Sequence, residues 1–222
     1  MSDVKGELPK ARVLRRVQER LAALYDVDPP DLGAFLCEEA TVRAIADAEL
    51  ARGELLLVLE EEDGVFVALW VDDAAVEAFE RGAPPATPAW EQVTEGVSHF
   101  VYLAFREANE EAVSQLELEV QAEVDKYAVA MLEGWGAGLV RAREREGRSR
   151  ALRQALFEEA EFIDPAGSER GERYRVANRV AGRFAAQLEA RFVAENDRAG
   201  LVTELRRFYR KGQRGKLAAA GY

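Results

Sequence analysis

Apolar residues return every three or four positions through most of this chain, and that spacing predicts helices. Between residues 9 and 25, Val13, Leu14, Val17, Leu21, Leu24 and Tyr25 share one face, with Arg15, Arg16 and Glu19 off it. Asp28-Pro29-Pro30-Asp31 ends this helix, because a residue preceding proline is pushed out of helical geometry. A short helix is expected at 31–37. Another, from about Thr41 to Arg52, would bury Val42, Ile45 and Leu50 and stop at Gly53.

The pattern then changes from periodic to continuous. Leu55 to Leu59 and Val65 to Val71 are apolar at nearly every position and flank Glu60 to Gly64, where Asp63-Gly64 is a hairpin-turn signal. Strands of this kind need cover on both faces, so helices or a further strand must pack on the ribbon. Asp72 and Asp73 open a helix at 73–81 that ends at Gly82.

Residues 84–89 belong to a proline-rich stretch, which reads as a stiff linker between an N-terminal unit (1–83) and a helical bundle (90–222). Beyond it, helices are expected at 90–108, 112–133, about 138–146, 149–162, 169–195 and 198–211, with breaks at Gly134 to Gly138 and at Gly147. The clearest stripe is Tyr174, Ala177, Val180, Ala181, Phe184, Leu188 and Phe192. The expected fold class is mainly α (α+β): a helical bundle with a single buried β-hairpin in the N-terminal third.

Charge divides the chain in a way that hydropathy does not. Residues 1–140 carry 11 Lys/Arg against 29 Asp/Glu, whereas residues 141–222 carry 19 against 12, within an overall net charge of −11. Such a sign change implies an electrostatic partner for the basic end: the acidic half itself, another protein, or a polyanion. From Arg206 to Lys216 there are six cations and no acid: Arg206, Arg207, Arg210, Lys211, Arg214 and Lys216. Guanidinium forks suit phosphate and carboxylate oxygens. Cys37 is the only cysteine, which excludes an intrachain disulfide and fits a reducing compartment. The start is polar, and Val65 to Val71 is too short to cross a bilayer. The expectation is a cytoplasmic protein with no membrane partner.

Candidate chemistry centres on the helices at 90–108 and 112–133. Helical spacing lines up Gln92, Glu95, His99, Tyr102 and Arg106 on the first. On the second, Glu117, Gln121 and Asp125 flank the core stripe on one side, and Glu119, Glu123 and Lys126 on the other. If the helices pair through a short turn, the lone histidine, His99, approaches these carboxylates. Glu119, Glu123 and Asp125 could then hold Mg or Mn, with His99 as a proton acceptor. All-α nucleotide pyrophosphohydrolases arrange carboxylate pairs around magnesium on bundle helices, but Glu117 to Asp125 departs from their Glu-x-x-Glu spacing, and no kinship is drawn. Alternatively His99 and the carboxylates form a structural polar network with no cofactor. Neither Ser98 nor Cys37 has a nucleophile's context, and no metal-protease, hydrolase or phosphate-loop motif occurs.

The leading sequence reading is therefore a non-enzymatic adaptor that docks an acidic or anionic protein partner on its basic C-terminal helices. The alternatives are a divalent-metal-dependent all-α phosphohydrolase of a nucleotide-like small molecule, and direct nucleic-acid binding.

Overall fold

The computed structural model describes residues 9–45, 53–61, 64–135 and 141–222. These form a mainly helical protein with one small antiparallel hairpin in the N-terminal third. Helix α1 (Pro9–Tyr25) is followed by a single 3₁₀ turn at Leu32–Ala34, helix α2 (Glu39–Ile45), strands β1 (Glu54–Glu61) and β2 (Gly64–Val71), and helix α3 (Asp73–Glu80). Then come α4 (Pro88–Ala108), α5 (Gln115–Trp135), α6 (Ala142–Arg153), α7 (Glu169–Leu188), α8 (Arg198–Tyr209) and α9 (Gln213–Ala219). The expected Asp63-Gly64 turn lies partly, and the helix end at Leu50 wholly, outside the described residues. Among the described residues, no helix is long and apolar enough to cross a membrane.

Local chemistry explains most boundaries. The carboxylates of Asp72 and Asp197 and the hydroxyl of Ser168 accept from the backbone N–H groups of Ala75, Gly200 and Gly171, opening α3, α8 and α7. Pro88 starts α4, where its missing N–H costs nothing. Within the segment 84–89, residues 85–87 turn into α4, and Pro88 and Ala89 are its first two residues. One hydrophobic cluster crosses the boundary expected there, running from Val13 and Leu69 through Phe100 and Val124 to Phe184 and Phe208.

The β-hairpin is covered at its base and open at its tip. Ala68, Leu69, Trp70 and Val71 are buried, whereas Val58, Leu59 and Phe66 are exposed. Beside the base, the Leu69 N–H donates to Phe35 O and the Cys37 N–H to Leu69 O, so residues 35–37 make a single parallel bridge to β2 at Leu36 and Leu69. The two-sided burial inferred from continuous apolarity therefore holds only where α4 and this segment meet the ribbon.

Two expected boundaries move. Gly147 does not break a helix: α6 runs from Ala142 through it and continues into one wider turn at Gln154–Glu158. A mid-helix glycine costs only about 1 kcal/mol. Here Ser149 offsets that by donating to Glu189 (2.6 Å), as does Arg148 by donating to Ala130 O (3.0 Å). The expected helix at 169–195 is α7 plus a wider turn at Glu189–Val193, and α9 is a further short helix after α8.

Helix α5 is central. It packs against α4, α6 and α7 and also meets α1, α8 and α9. Consequently both of its polar rows face protein rather than water. Glu117, Gln121 and Asp125 are buried towards α1 and α9, and Glu119 and Lys126 are buried towards α4 and α7.

Candidate functional site: an acidic cleft around His99

Antiparallel pairing of α4 and α5 places His99 opposite Glu119, and Glu95 opposite Glu123 and Lys126. His99 Nε2 lies 3.5 Å from Glu119 Oε2, and Nδ1 lies 3.7 Å from Glu54 Oε2. Glu54 comes from β1, which no helical pattern could have joined to this set. Its approach depends on Gly96 of α4: a methyl group there would sit 3.1 Å from Val71 Cγ2 and 3.3 Å from Glu54 Cβ, holding the strand off the helix. Gly53 precedes Glu54 with φ +93°, a conformation that glycine adopts without strain, and the Gln92 side chain packs where a Cβ would be.

His99 is 6 % exposed, and its Nε2 has no hydrogen-bond partner, nor does Glu54 Oε2. Orphaned buried polar atoms of this kind are uncommon in folded proteins. Ligand atoms of Glu54, Glu95 and His99 all lie within 4.8 Å of one another, a spacing compatible with one shared ion. Burial disfavours the imidazolium, but Glu119 and Glu54 outweigh it and raise the His99 pKa well above its ordinary value. Burial raises Glu54 as well, with His99 partly opposing it. For Glu95, burial is outweighed by Lys126, His99 and Arg170, and the carboxyl falls below its usual range.

One helical turn further along, the Lys126 ammonium meets Glu123 at 2.7 Å, Glu95 at 3.1 Å and Glu91 at 3.4 Å. Burial works against this charge, yet Glu123, Glu95 and Glu91 hold it strongly protonated. Glu123 is pushed up to about 7, first by burial, with Lys126 opposing and Glu95 adding to it. The first turns of α7 close the other side. Arg173 Nε stands 3.8 Å from Glu119, and Arg170 pairs with Asp164 at 3.3 Å. The Tyr174 phenol is raised by burial and then by Glu119, Glu95 and Glu54.

Of these groups, Glu54, Glu91, Glu95, Glu123, Lys126, Arg170 and Tyr174 line a cleft of about 540 Å³ whose outer wall is the irregular segment 159–164, whereas His99, Glu119 and Arg173 are not part of its lining. That wall is tied down by Arg175, which donates to Asp164 O (3.0 Å) and covers the Phe162 ring at 4.9 Å. The volume suits a small molecule.

Asp125 is elsewhere. Its carboxylate accepts from Ser98 (2.6 Å), Gln121 (2.7 Å) and the Tyr25 hydroxyl on the opposite flank of α5. Lys216 joins this second network: its ammonium donates to Gln121 Oε1 and to Phe208 O (3.1 Å) and lies 4.5 Å from the Tyr102 and Phe208 ring centres. Of the expected metal ligands, then, Glu123 lines the cleft and Glu119 stands against His99 beside it, while Asp125 lies in a buried brace. Glu54 and Glu95 complete the carboxylate set.

The six basic C-terminal residues are dispersed. Lys216 is 1 % exposed. Arg206 donates to Leu24 O (2.7 Å) and Ala23 O (3.1 Å), and Arg210 to Tyr25 O (3.0 Å). They thereby cap the orphan carbonyls ending α1, where positive charge is favoured. The acidic half meets these two cations with main-chain oxygens rather than carboxylates. Arg207 is exposed with Glu204 at 3.7 Å, Lys211 is half-buried, and Arg214 is exposed.

Comparison with known protein families, with curated proteins and with solved structures gives no match.

Proposed function

We propose that this protein is a divalent-cation-dependent hydrolase of a phosphorylated, nucleotide-like small molecule, working in the acidic cleft lined by Glu54 and Glu95 beside His99. The observation that carries this reading is the nine-tenths-buried His99, with ligand atoms of Glu54 and Glu95 within 4.8 Å and with the buried Glu54 Oε2 left without a hydrogen-bond partner 3.7 Å from Nδ1. Glu54, Glu95 and His99 serve as the ion's ligands, and Glu119 orients the imidazole. An imidazole among carboxylates suits Mn²⁺ better than Mg²⁺, which prefers oxygen donors throughout. Arg170, from the facing helix, lines the cleft and is placed to balance phosphate charge.

A cation held by Glu54, Glu95 and His99 would supply Lewis-acid activation of water for hydrolysis of a P–O bond. The proton lost by the water would pass to solvent, and the leaving oxygen would take one from solvent in return.

Two linked measurements test this. Saturating Mn²⁺ at about 100 times its Kd should raise the melting temperature by about 5–10 °C. Glu95→Gln should abolish that shift, together with Mn²⁺-dependent phosphate or pyrophosphate release from a nucleoside triphosphate. A melting temperature indifferent to Mn²⁺, with no release, overturns the reading.

A second reading, docking of an acidic or anionic partner on α8 and α9, is supported by the exposure of Arg207, Arg210 and Arg214. Because Arg210 also braces α1, the informative variant is Arg207→Glu/Arg214→Glu. It should lose the proteins that co-purify with the wild type at low salt, and their retention removes this surface. Nucleic acid, as the docked polyanion, would instead give an affinity falling with salt at a log–log slope near about −0.9 per neutralised phosphate.

A further inference from the structure

Lys126 occupies an unusual position for a structural ion pair. Its side chain is 4 % exposed, and three carboxylates from two helices converge on one ammonium: Glu123 from α5, Glu95 and Glu91 from α4. An ammonium has three N–H donors, and these three acceptors use all of them. Lys126 therefore has no donor left for a substrate.

Glu95 belongs to both halves of the cleft. It lies with Glu54 and His99 in the first cluster, where ligand atoms are within 4.8 Å of one another, and it accepts from Lys126 at 3.1 Å in the second. A carboxylate shared by two adjacent cation positions is what a two-ion hydrolytic centre requires, its ions being about 3.5–4 Å apart. At the first position the nine-tenths-buried His99 turns Nδ1 towards Glu54 Oε2 at 3.7 Å, and that buried oxygen has no hydrogen-bond partner.

We propose that the Lys126 ammonium is a resident occupant of the second of two adjacent cation positions. It leaves only the position at Glu54, Glu95 and His99 open to a divalent ion. This rests on the cation-site reading above and adds its stoichiometry: one exchangeable ion per chain beside one covalently tethered charge. Lys126 is a positioning residue, holding Glu95 and Glu123 in place and limiting the centre to a single ion.

The test is Mn²⁺ titration of the full chain, read by calorimetry and electron paramagnetic resonance. Wild type should bind one Mn²⁺ with the spectrum of an isolated ion. Lys126→Ala should bind two, with an exchange-coupled spectrum of halved hyperfine spacing, since Glu95 would then bridge them. Its melting temperature without Mn²⁺ should fall below that of the wild type and recover when the ion is added. Should the unpaired carboxylates prevent folding, Lys126→Ala/Glu91→Gln, with one anion fewer, gives the same readout. One ion in both wild type and folded variant overturns the role of Lys126 and leaves the single-ion centre standing. No ion in either overturns the centre itself.

Discussion

Replacing Asp125 with alanine should cost about 3–5 kcal/mol of folding stability, the largest loss expected from any single polar substitution in this protein. Asp125 is 1 % exposed and is the common acceptor for Tyr25, Ser98 and Gln121. Its removal leaves the buried Tyr25 and Ser98 hydroxyls without their acceptor, each costing about 1–3 kcal/mol, reduces the Gln121 amide to its bond with Tyr25 (3.3 Å), and strips the nearby Lys216 of a favourable charge. The partial cost of each is offset where side chains re-pair, so the total stays below their sum. Asp125→Asn keeps one oxygen and lets the Ser98 hydroxyl rotate, so its loss should be about 1–2 kcal/mol. Urea unfolding with an unchanged m-value measures both. Mn²⁺ binding in the cleft should survive Asp125→Asn, because Asp125 faces the opposite flank of α5. Equal stability of wild type and Asp125→Ala would dismiss the brace.

The second large effect is a pH dependence specific to Lys216. Burial lowers its pKa from 10.5 to about 7, with Asp125 and Glu117 opposing that shift and Arg106 and Lys211 adding to it. Below pH 7 both folded and unfolded chains carry the proton, and the penalty of burying the charge is fully present. Between about 7 and 10.5 the unfolded chain binds more protons than the folded one, so stability rises with pH, by up to about 1.4 kcal/mol per unit. Asp125 acts in a separate window. Burial lifts its pKa from 3.8 to about 6 against hydrogen bonds from Ser98, Tyr25 and Gln121, so its contribution falls as pH rises through that interval. The neighbouring phenols of Tyr25, Tyr102 and Tyr209 are all raised, chiefly by burial, and reduce stability only towards pH 10 and above. Comparison with Lys216→Met isolates the amine. From pH 7 to 9.5 the wild type should gain a few kcal/mol relative to the variant in chemical denaturation. Parallel curves would mean that the cation–π contacts with Tyr102 and Phe208 keep Lys216 charged throughout.

Much of this architecture is legible in the chain because its determinants are local. The faces of α1 and α7, the Asp72 cap and the two polar rows of α5 follow from helical spacing and side-chain chemistry. The approach of His99 to carboxylates follows from the short connection between α4 and α5. What spacing cannot supply is the partner of each row. Glu54 lies 41 positions before Glu95 in sequence and reaches His99 only because β1 crosses α4 at Gly96. Asp125 and Glu123, two residues apart, diverge to opposite sides of a helix that turns out to be enclosed on both. The basic C-terminal run reads as an exposed patch, yet the helical turn of α8 sends Arg206 and Arg210 to the end of α1, and α9 carries Lys216 into the core. A linear charge pattern does not distinguish a cation facing solvent from one facing a helix terminus.

The mixed origin of the cleft has a dynamic consequence. His99, Glu95, Glu119 and Glu123 are held by long packed helices, but Glu54 is carried by a ribbon whose far end projects Val58, Leu59 and Phe66 into solvent. Segments with few buried contacts open at lower free energy than the surrounding core. Fraying of that ribbon would withdraw one wall of the cleft while the bundle stayed intact. Amide exchange in β1 would then follow occupancy of the cleft, and exchange in α5 would not.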